Sequence, residues 1–290
     1  MSSPFITFLS DYGLEDDFVG VCHGVIARIC PAARVIDLTH GIPRHDVRAG
    51  ATALADSLPY VPVGVYLAVV DPDVGAERRA VALGLADGRT LVGPDNGLLA
   101  LAAQAGGGVV EAVDIARSRY RLEPVSATFH GRDIFAPVAG HLAGGVALAE
   151  TGDPCDPAEL VALELPRPQH EDGALVAHVR HVDRFGNLQL DAGHQDLADS
   201  GLKLGHAVQI ELRPGPGKRA PESPEESPDS SQGMPQAFPF PFVRTFADVE
   251  PDEMLLYEDA QRRLSIAVSH GDAAARLGCK LDDEIRIRPA

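Results

Sequence analysis

The chain has 290 residues, of which 45% are hydrophobic and 23% are charged; this composition can bury a core and excludes a chain that is disordered throughout. Its 42 acidic residues outnumber its 25 basic ones and give a formal net charge of −17, which argues against the basic surface that nucleic-acid binding requires. The length favours two domains, and the charge favours a small cationic or zwitterionic substrate over a polyanion.

The first half alternates short apolar runs with helical patterns. Apolar residues recur at three- and four-residue spacing over 18–29, which predicts a helix with Asp16 or Asp17 at its first turn. Because apolar runs that alternate with helices are typical of parallel βαβ units, we expect an N-terminal α/β domain with a mainly parallel sheet over 1–165. The predicted elements are strand 5–9, helix 18–29, strand 35–38, helix 47–58, strand 65–70, strands 80–85 and 90–92, and helix 97–105.

The second half has a different pattern. From about Gly173 onward, short apolar runs are separated by turn residues, which is typical of a small all-β domain. We therefore expect a smaller C-terminal, barrel-like β domain over 173–290, after a linker around Pro166 and Pro168. A stretch rich in Pro, Ser and Glu at about 213–241 predicts a flexible surface insertion in this domain. The predicted strands are 175–182, 187–190, 207–212, 254–257 and 264–268.

Acidic residues fall at the ends of three predicted strands. Asp11, Asp37 and Asp71 each lie at or just past the end of an apolar run. Ligands of open α/β sheets bind outside the carboxyl ends of the strands, so the three together indicate a site. An acidic residue in such a position can also cap the next helix, and for any single one of the three the two interpretations are equally good.

The densest polar segment, 71–79, carries Asp71 and Arg78 on either side of a Pro/Gly turn. The turn can bring the two together, either as a structural ion pair or as part of a site. His130, which lies between apolar and charged neighbours in another segment, is open to the same two interpretations. Together the three side chains could fix one water, because the carboxylate accepts a hydrogen bond while guanidinium and imidazole donate, and could aim it at an electrophile.

Two further segments have both a structural and a functional interpretation. Asp95 and Asn96 follow a predicted strand. They can serve either as turn and helix-cap residues or as groups that bind a ligand. Asp183, Phe185 and Asn187 offer a carboxylate, a ring and an amide that suit a purine, although a hairpin turn uses the same residues. The motifs of phosphate-binding loops, dinucleotide-binding folds, serine hydrolases and zinc peptidases do not occur. The His and Asp residues show no close paired spacing that predicts a metal.

No apolar run approaches the roughly 18 residues that span a bilayer, and residues 1–10 lack a charged segment followed by a long apolar one. We therefore expect a cytoplasmic protein. The cysteines lie far apart with no C-x-x-C pair, so we expect reduced, mostly buried thiols rather than zinc ligands or disulfides. They are Cys22, Cys30, Cys155 and Cys279.

Seven segments, spread in order over nearly the whole chain, form a specific pattern, although any one of them alone is weak. They are LSDYGLEDDFVGVCHGVI, VVDPDVGAERRAV, LVGPDNGLL, TFHGRDIFAPVA, VDRFGN, TFADV and LSIAV. Together they resemble the S-adenosylmethionine (SAM) hydroxide adenosyltransferases, or SAM hydrolases, which are relatives of the bacterial fluorinase and chlorinase. The insertion at 213–241 departs from this family.

The resemblance implies that water or hydroxide attacks C5′ of the ribose in SAM and gives adenosine and methionine, with no metal, no cofactor and no covalent intermediate. In the family an Asp–Arg–His set holds the nucleophile, and the matching positions here are Asp71, Arg78 and His130. Because the sulfonium makes methionine a good leaving group, what remains is to orient water behind C5′ and to exclude solvent.

The same resemblance implies a set of substrate contacts and an assembly. Asp11 would bind the ribose hydroxyls, and Asp16 would bind the methionine ammonium group. Family members assemble as homotrimers with each site between the first domain of one subunit and the second domain of its neighbour. The other implied contacts, which include those that read the adenine, are Asp183, Phe185, Asn187 and the backbone near Val268.

Two alternatives remain, a SAM-dependent 5′-halogenase and a non-catalytic sensor that binds adenosine or SAM. The halogenases carry uncharged residues where this chain has Asp71, and a carboxylate there would repel a halide. Fluorinase also has a serine at the position matching Gly131. It has a longer insertion before the segment that contains Asp95, whereas only 15 residues separate Arg79 from Asp95 in this chain. A sensor would have no use for a water-orienting triad. Residues 258–261 replace the family's Asn-Ser turn, so the partners of the methionine carboxylate stay open.

Overall fold

The computed structural model describes residues 4–198, 200–213 and 238–290. The chain divides into two compact units, Met1–Glu164 and Leu165–Ala290, and the domain limits 1–165 and 173–290 stay a prediction. Most of the insertion expected at about 213–241 lies outside the described residues. The expectation is wrong at its two ends, because Arg213 and residues 238–241 belong to β-strands.

The described part of the first unit combines strands with α-helices. The strands are β1 (Phe5–Ser10), β2 (Arg34–Thr39), β3 (Val65–Val69), β4 (Ala80–Leu85), β5 (Thr90–Pro94), β6 (Val109–Asp114) and β7 (Asp153–Pro154). The helices are α1 (Phe18–Ile29), α2 (Val47–Ser57), α3 (Ala100–Ala105) and α4 (Ala136–Ala143). The seven strands form one sheet of order β2-β1-β3-β5-β4-β6-β7. The pairs from β2 to β5 are parallel, and the pairs from β5 to β7 are antiparallel.

Helices cover both faces of this sheet, so its central strands are buried on each side. In β1, Ile6 and Phe8 pack in the apolar cluster that contains residues of α1 and α4. Leu9 points to the opposite face, where it joins residues of α2 and α3, as the two-residue period of a strand requires. None of the described helices has the length and apolar content needed to cross a membrane.

The carboxyl ends of β1 and β3 lie side by side. Ser10 and Val69, the last residues of these parallel strands, are register partners. Asp11 comes directly after β1, and Asp71 comes two residues after the end of β3, so both acidic residues lie at this edge of the sheet. Asp37 instead lies within β2.

The described part of the second unit is a sheet of eight strands with one short helix. The strands are β8 (Gln169–Glu171), β9 (Ala174–Val182), β10 (Leu188–Gly193), β11 (Ala207–Arg213), β12 (Phe238–Pro241), β13 (Met254–Glu258), β14 (Arg263–Val268) and β15 (Glu284–Pro289), and the helix is α5 (Ala273–Leu277). The order β12-β11-β15-β9-β10-β14-β13 is antiparallel throughout, with β8 beside β9. A bridge between Phe242 and Leu256 nearly closes it into a barrel. The predicted fold class, an α/β domain followed by a smaller barrel-like β domain, is confirmed, although the first sheet is mixed rather than mainly parallel.

Candidate active site

A cavity of about 800 Å³ opens at the carboxyl ends of β1 and β3. Its volume lies within the roughly 300–1,000 Å³ that small-molecule sites enclose. Asp11, Asp16, Asp71 and His130 all line it, so the first unit brings together four of the residues predicted for the site. Asp37 is not part of the described wall.

Asp71 and Arg78 form a buried ion pair across the turn that links β3 to β4. The Arg78 Nε donates a hydrogen bond of 2.8 Å to Oδ1 of Asp71, and Nη2 of the same guanidinium donates to Oδ2. The turn closes tightly at Gly75, whose φ is +85° and whose missing Cβ would lie 2.5 Å from the carbonyl oxygen of Ala127. The two side chains are only 6% and 9% exposed, so this bidentate pair is shielded from water.

His130 completes the cluster from a different part of the chain. It immediately precedes a π-helical turn, Gly131–Phe135, a kind of helical irregularity that is frequent at functional sites. Its Nδ1 lies 2.9 Å from Nη2 of Arg78. Since a guanidinium can only donate, we infer that Nδ1 accepts and that the ring carries its proton on Nε2. Burial lowers the pKa of His130, and the charge of Arg78 lowers it further, against smaller opposing contributions from Asp71 and Asp133, which favours the neutral ring.

Arg78 holds the other two residues in place. Of the described residues in this cluster, Asp71 and His130 line the cavity and Arg78 does not. Its Nε and Nη2 hydrogen atoms are directed to Asp71 and His130, and its guanidinium lies 5.2 Å from the ring centre of Phe135. The geometry therefore makes Arg78 a positioning residue for a carboxylate and an imidazole that face the cavity.

Asp11 and Asp16 carry negative charge into the same cavity. Asp11 Oδ2 accepts a hydrogen bond of 2.9 Å from the backbone N–H of His45, which fixes the direction of its carboxylate. Asp16 is exposed in the segment that leads into α1. Together with Glu15 and Asp71 they give this wall four carboxyl groups against one arginine, Arg44, an arrangement that suits a ligand with positive charge.

The remaining predicted substrate residues lie in the second unit. Asp183 Oδ1 accepts from the backbone N–H of Phe185 at 2.8 Å and from that of Asn187 at 3.0 Å, and Oδ2 accepts from the Asn187 side chain at 2.8 Å. Asp183 is therefore a turn former, whatever else it does. The turn leaves Phe185 68% exposed, and it precedes β10, which pairs with β14, the strand that ends at the buried Val268.

The segment with Asp95 and Asn96 has a structural role. Asp95 accepts hydrogen bonds of 2.8 Å from Nε of Arg79 and from the backbone N–H of Val161. Asn96 donates at 2.9 Å to the carbonyl oxygen of Val70, the residue before Asp71 in the chain. Of the two interpretations of this segment, the structural one accounts for these contacts.

Tyr12 is a cavity residue that the sequence did not single out. Its hydroxyl oxygen occupies the space that a side chain at Gly131 would need, since a Cβ there would lie 2.0 Å from it. Burial raises the pKa of Tyr12 well above its ordinary value, with further contributions from Cys22 and Asp71. The signal in the sequence was the glycine that follows His130, which pattern analysis alone does not connect with a tyrosine 119 positions earlier.

This packing leads to a prediction about stability. Changing Gly131 to Ala should destabilise the protein by about 1–3 kcal/mol, the usual cost of overpacking, because Tyr12 would have to move. The cost should be smaller in a Tyr12→Phe background, where the obstructing oxygen is gone, and urea unfolding would measure both. Gly20→Ala is the matched control, since a Cβ there meets nothing within 4 Å. Equal costs in the two backgrounds would contradict the prediction.

Comparison with known proteins decides the family. Residues 6–152 match the model of the SAM hydroxide adenosyltransferase N-terminal domain, and residues 177–286 match the model of the C-terminal domain. The chain belongs to the SAM hydroxide adenosyltransferase family. The resemblance seen in the seven sequence segments is thus confirmed.

Relatives in this family are similar over most of their length. An (R)-S-adenosyl-L-methionine hydrolase of Salinispora tropica is 44% identical over 285 residues, which cover 98% of each chain. A fluorinase of Actinoplanes sp. is more distant, with 29% identity over 235 residues, or 72% of this chain and 78% of that one. A solved structure of an uncharacterized conserved protein from Thermotoga maritima superposes with a TM-score of 0.85 at 33% identity, covering 98% of this chain and 99% of that one.

Proposed function

We propose that this member of the SAM hydroxide adenosyltransferase family is a SAM hydrolase, which converts S-adenosyl-L-methionine and water to adenosine and L-methionine. The observation that carries the proposal is the Asp71–Arg78–His130 cluster, in which a carboxylate and an imidazole face one cavity. The identity of 44% to a relative named as such a hydrolase supports it.

The cluster can hold one water with its reactive lone pair pointing outward. A carboxylate oxygen of Asp71 accepts a hydrogen bond from the water, and the Nε2–H of His130 donates one to the water oxygen. The second lone pair then attacks C5′. As the new C–O bond forms, the C5′–S bond breaks, its electrons neutralise the sulfonium, and the proton of the water passes to Asp71. The leaving group needs no proton, so the catalysis is mainly positioning with a general base.

The acidic wall suits this substrate, whose sulfonium and ammonium groups are both cationic. We assign the ribose hydroxyls to Asp11, because a carboxylate already oriented by a backbone N–H can accept from two neighbouring hydroxyls. Asp16 is assigned to the ammonium group. The roles of the second-unit residues rest on the family resemblance, and their proposed place is around the adenine: Asp183, Phe185, Asn187 and the backbone near Val268.

The second candidate is a halogenase of the same family. The observation against it is the carboxylate of Asp71 in the cavity wall, because a negative charge repels an approaching halide. The hydroxyl of Tyr12 also fills the place in which a serine at position 131 would stand. The greater distance of the fluorinase relative points in the same direction. A sensor that only binds SAM is the third candidate.

One assay separates these candidates. The purified protein is incubated with SAM in ¹⁸O-labelled water, with and without excess chloride, and the products are separated by chromatography and weighed by mass spectrometry. We expect adenosine that carries ¹⁸O at C5′ and no halogenated product, and we expect the same rate after treatment with EDTA because no step needs a metal. A 5′-chloro product would establish the halogenase, and intact SAM with measurable binding would establish the sensor.

The protonation state of His130 predicts the acid side of the pH profile. Burial and the charge of Arg78 hold the pKa of His130 below its ordinary value of 6.5. Protonation would put a hydrogen on Nδ1, which faces the Nη2–H donor of Arg78. We therefore expect kcat/KM to stay level as the pH falls through 6.5 and to decline only below it, as the ring takes up a proton. This decline in kcat/KM at low pH should be absent from the His130→Gln variant. A decline centred above pH 6.5 that depends on His130 would contradict this.

The family resemblance also implies a cytoplasmic homotrimer, which we include in the proposal. Light scattering after gel filtration would measure the assembly directly. A mass of three chains, each of 30.6 kDa, is expected. A monomer that turns over SAM at the full rate would contradict an active site shared between subunits.

A further inference from the structure

A second polar cluster lies in the first unit, formed by His23, Asp37 and His40. His23 projects from α1, Asp37 lies in β2, and His40 follows the end of that strand. The Asp37 Oδ1 is 2.8 Å from Nε2 of His23 and 3.1 Å from Nε2 of His40. Within the described residues this is the one group of three His, Cys, Asp or Glu side chains whose possible metal-ligand atoms all lie within 4.8 Å of one another.

His40 is the member of the cluster that a hydrogen-bond network does not explain. Its side chain is only 2% exposed, and in the described part of the chain its Nε2 has no hydrogen-bond partner of acceptable geometry. Although Asp37 Oδ1 lies 3.1 Å away, the two atoms are not aligned as donor and acceptor. A buried polar atom without a partner is costly, and a cation bound between the three side chains would remove that cost.

The other side of the His40 ring is arranged as in a metal ligand. Nδ1 lies 2.7 Å from Oγ of Ser10, which is itself buried. Histidines that bind metals almost always donate their second ring N–H to an oxygen, which fixes the ring and its tautomer. With Nδ1–H donated to Ser10, Nε2 of His40 keeps a free lone pair, and possible ligand atoms of Asp37 and His23 lie within 4.8 Å of it.

We propose that His23, Asp37 and His40 bind one divalent transition-metal ion of the zinc class. Two imidazoles and one carboxylate are a donor set that Zn²⁺ accepts, whereas Mg²⁺ and Ca²⁺ prefer oxygen alone. Ligand atoms around tetrahedral Zn²⁺ are about 3.3 Å apart at bond lengths near 2.05 Å, so the two spacings from Asp37 Oδ1 need to widen by about 0.5 Å and about 0.2 Å. The side chains of His23 and Asp37 are 34% and 44% exposed, which leaves the ion an entry path and a position for water.

His40 also lines the cavity of the candidate active site, so the ion would lie next to that cavity, and its direct effect would be on the fold. It would tie α1 to β2 on the face where the ring of Phe8 packs against His40, with ring centres 4.6 Å apart. No step of the proposed hydrolysis uses this ion, so a test of metal binding does not depend on the proposed function.

Metal binding itself is the test. The full-length chain, purified without a His tag and stripped with a chelator, would be titrated with Zn²⁺ by calorimetry and with Co²⁺ by visible absorption. We expect one site per chain, with no heat from Mg²⁺ at the same concentration. His23→Gln and Asp37→Asn should each weaken binding by at least about 10-fold, since even the loss of a supporting hydrogen bond costs about 10–100-fold. Both replace partly exposed side chains, so the variants are expected to fold.

His170→Gln is the matched control, because His170 is exposed in β8 and lies outside the cluster. It should bind Zn²⁺ as the wild type does. Ser10→Ala should weaken binding while keeping all three ligands, which a site formed by chance at the surface would not show. Equal affinity in the wild type, His23→Gln and Asp37→Asn, or a wild type that binds no Zn²⁺ up to millimolar concentration, would overturn the proposal.

Discussion

Replacing Asp71 by Asn is expected to lower kcat for adenosine formation by about 10²–10⁴-fold, the usual contribution of a positioned general base. The amide has the shape of the carboxylate but cannot take the proton of the attacking water. Binding of adenosine should change far less, since its hydroxyls are assigned to Asp11 and not to Asp71. Product formation in single-turnover experiments would give the rate, and calorimetry would give the affinity.

Asp73→Asn is the control for that experiment. Asp73 lies two residues further along the same turn and is exposed, so its loss removes the same formal charge without touching the cluster. Activity near the wild-type level is expected for this variant. A rate for Asp71→Asn within a few-fold of the wild type would overturn the role given to Asp71.

Replacing Arg78 by Met should destabilise the protein by about 3–5 kcal/mol, because it leaves the carboxylate of Asp71 buried without its partner. The two carboxylate oxygens now receive donors from one guanidinium, and the side chain of Asp71 is only 6% exposed. Catalysis should be lost as well, since both Asp71 and His130 are oriented by Arg78. Urea unfolding and the SAM assay would measure the two effects.

The double variant Asp71→Asn with Arg78→Met separates these two effects. It removes the buried charge along with its partner, so it should recover much of the stability lost in Arg78→Met and none of the activity. Arg78→Lys should also stay poorly active, because an ammonium cannot present the paired donors of a guanidinium. An Arg78→Met protein as stable as the wild type would show that the pair contributes nothing to the fold.

Local patterns predicted the parts of this structure that depend on neighbours in sequence. The three-and-four spacing over 18–29 matches α1, and the apolar runs that precede Asp11 and Asp71 match β1 and β3. The ion pair of Asp71 with Arg78 follows from a short turn between adjacent elements. His130 was singled out by its polar segment, but its membership of an Asp–Arg–His set was implied by the family resemblance, since nothing in periodicity relates position 130 to position 71.

Contacts between distant segments could not be predicted in this way. The hydroxyl of Tyr12 lies next to Gly131 because the segment after β1 and the π-helical turn come together in three dimensions. Asp37 has the features of a strand-end acid, yet β2 continues past it and directs it to the imidazoles of His23 and His40. The strand at 238–241 was missed because its two prolines argue for a loop, whereas at the edge of a sheet proline is tolerated.

The buried pair of Asp71 and Arg78 restricts how such an enzyme can change its chemistry during evolution. A change to an uncharged residue at 71, as a halide nucleophile would demand, leaves a guanidinium that is only 9% exposed without a counter-charge. If Arg78 changes first, the buried carboxylate of Asp71 is left without its cationic partner. Either single step passes through a less stable protein, so the two positions should be exchanged together or after other substitutions have raised stability. Ancestral sequences between hydrolases and halogenases would then show the two positions changing on the same branch.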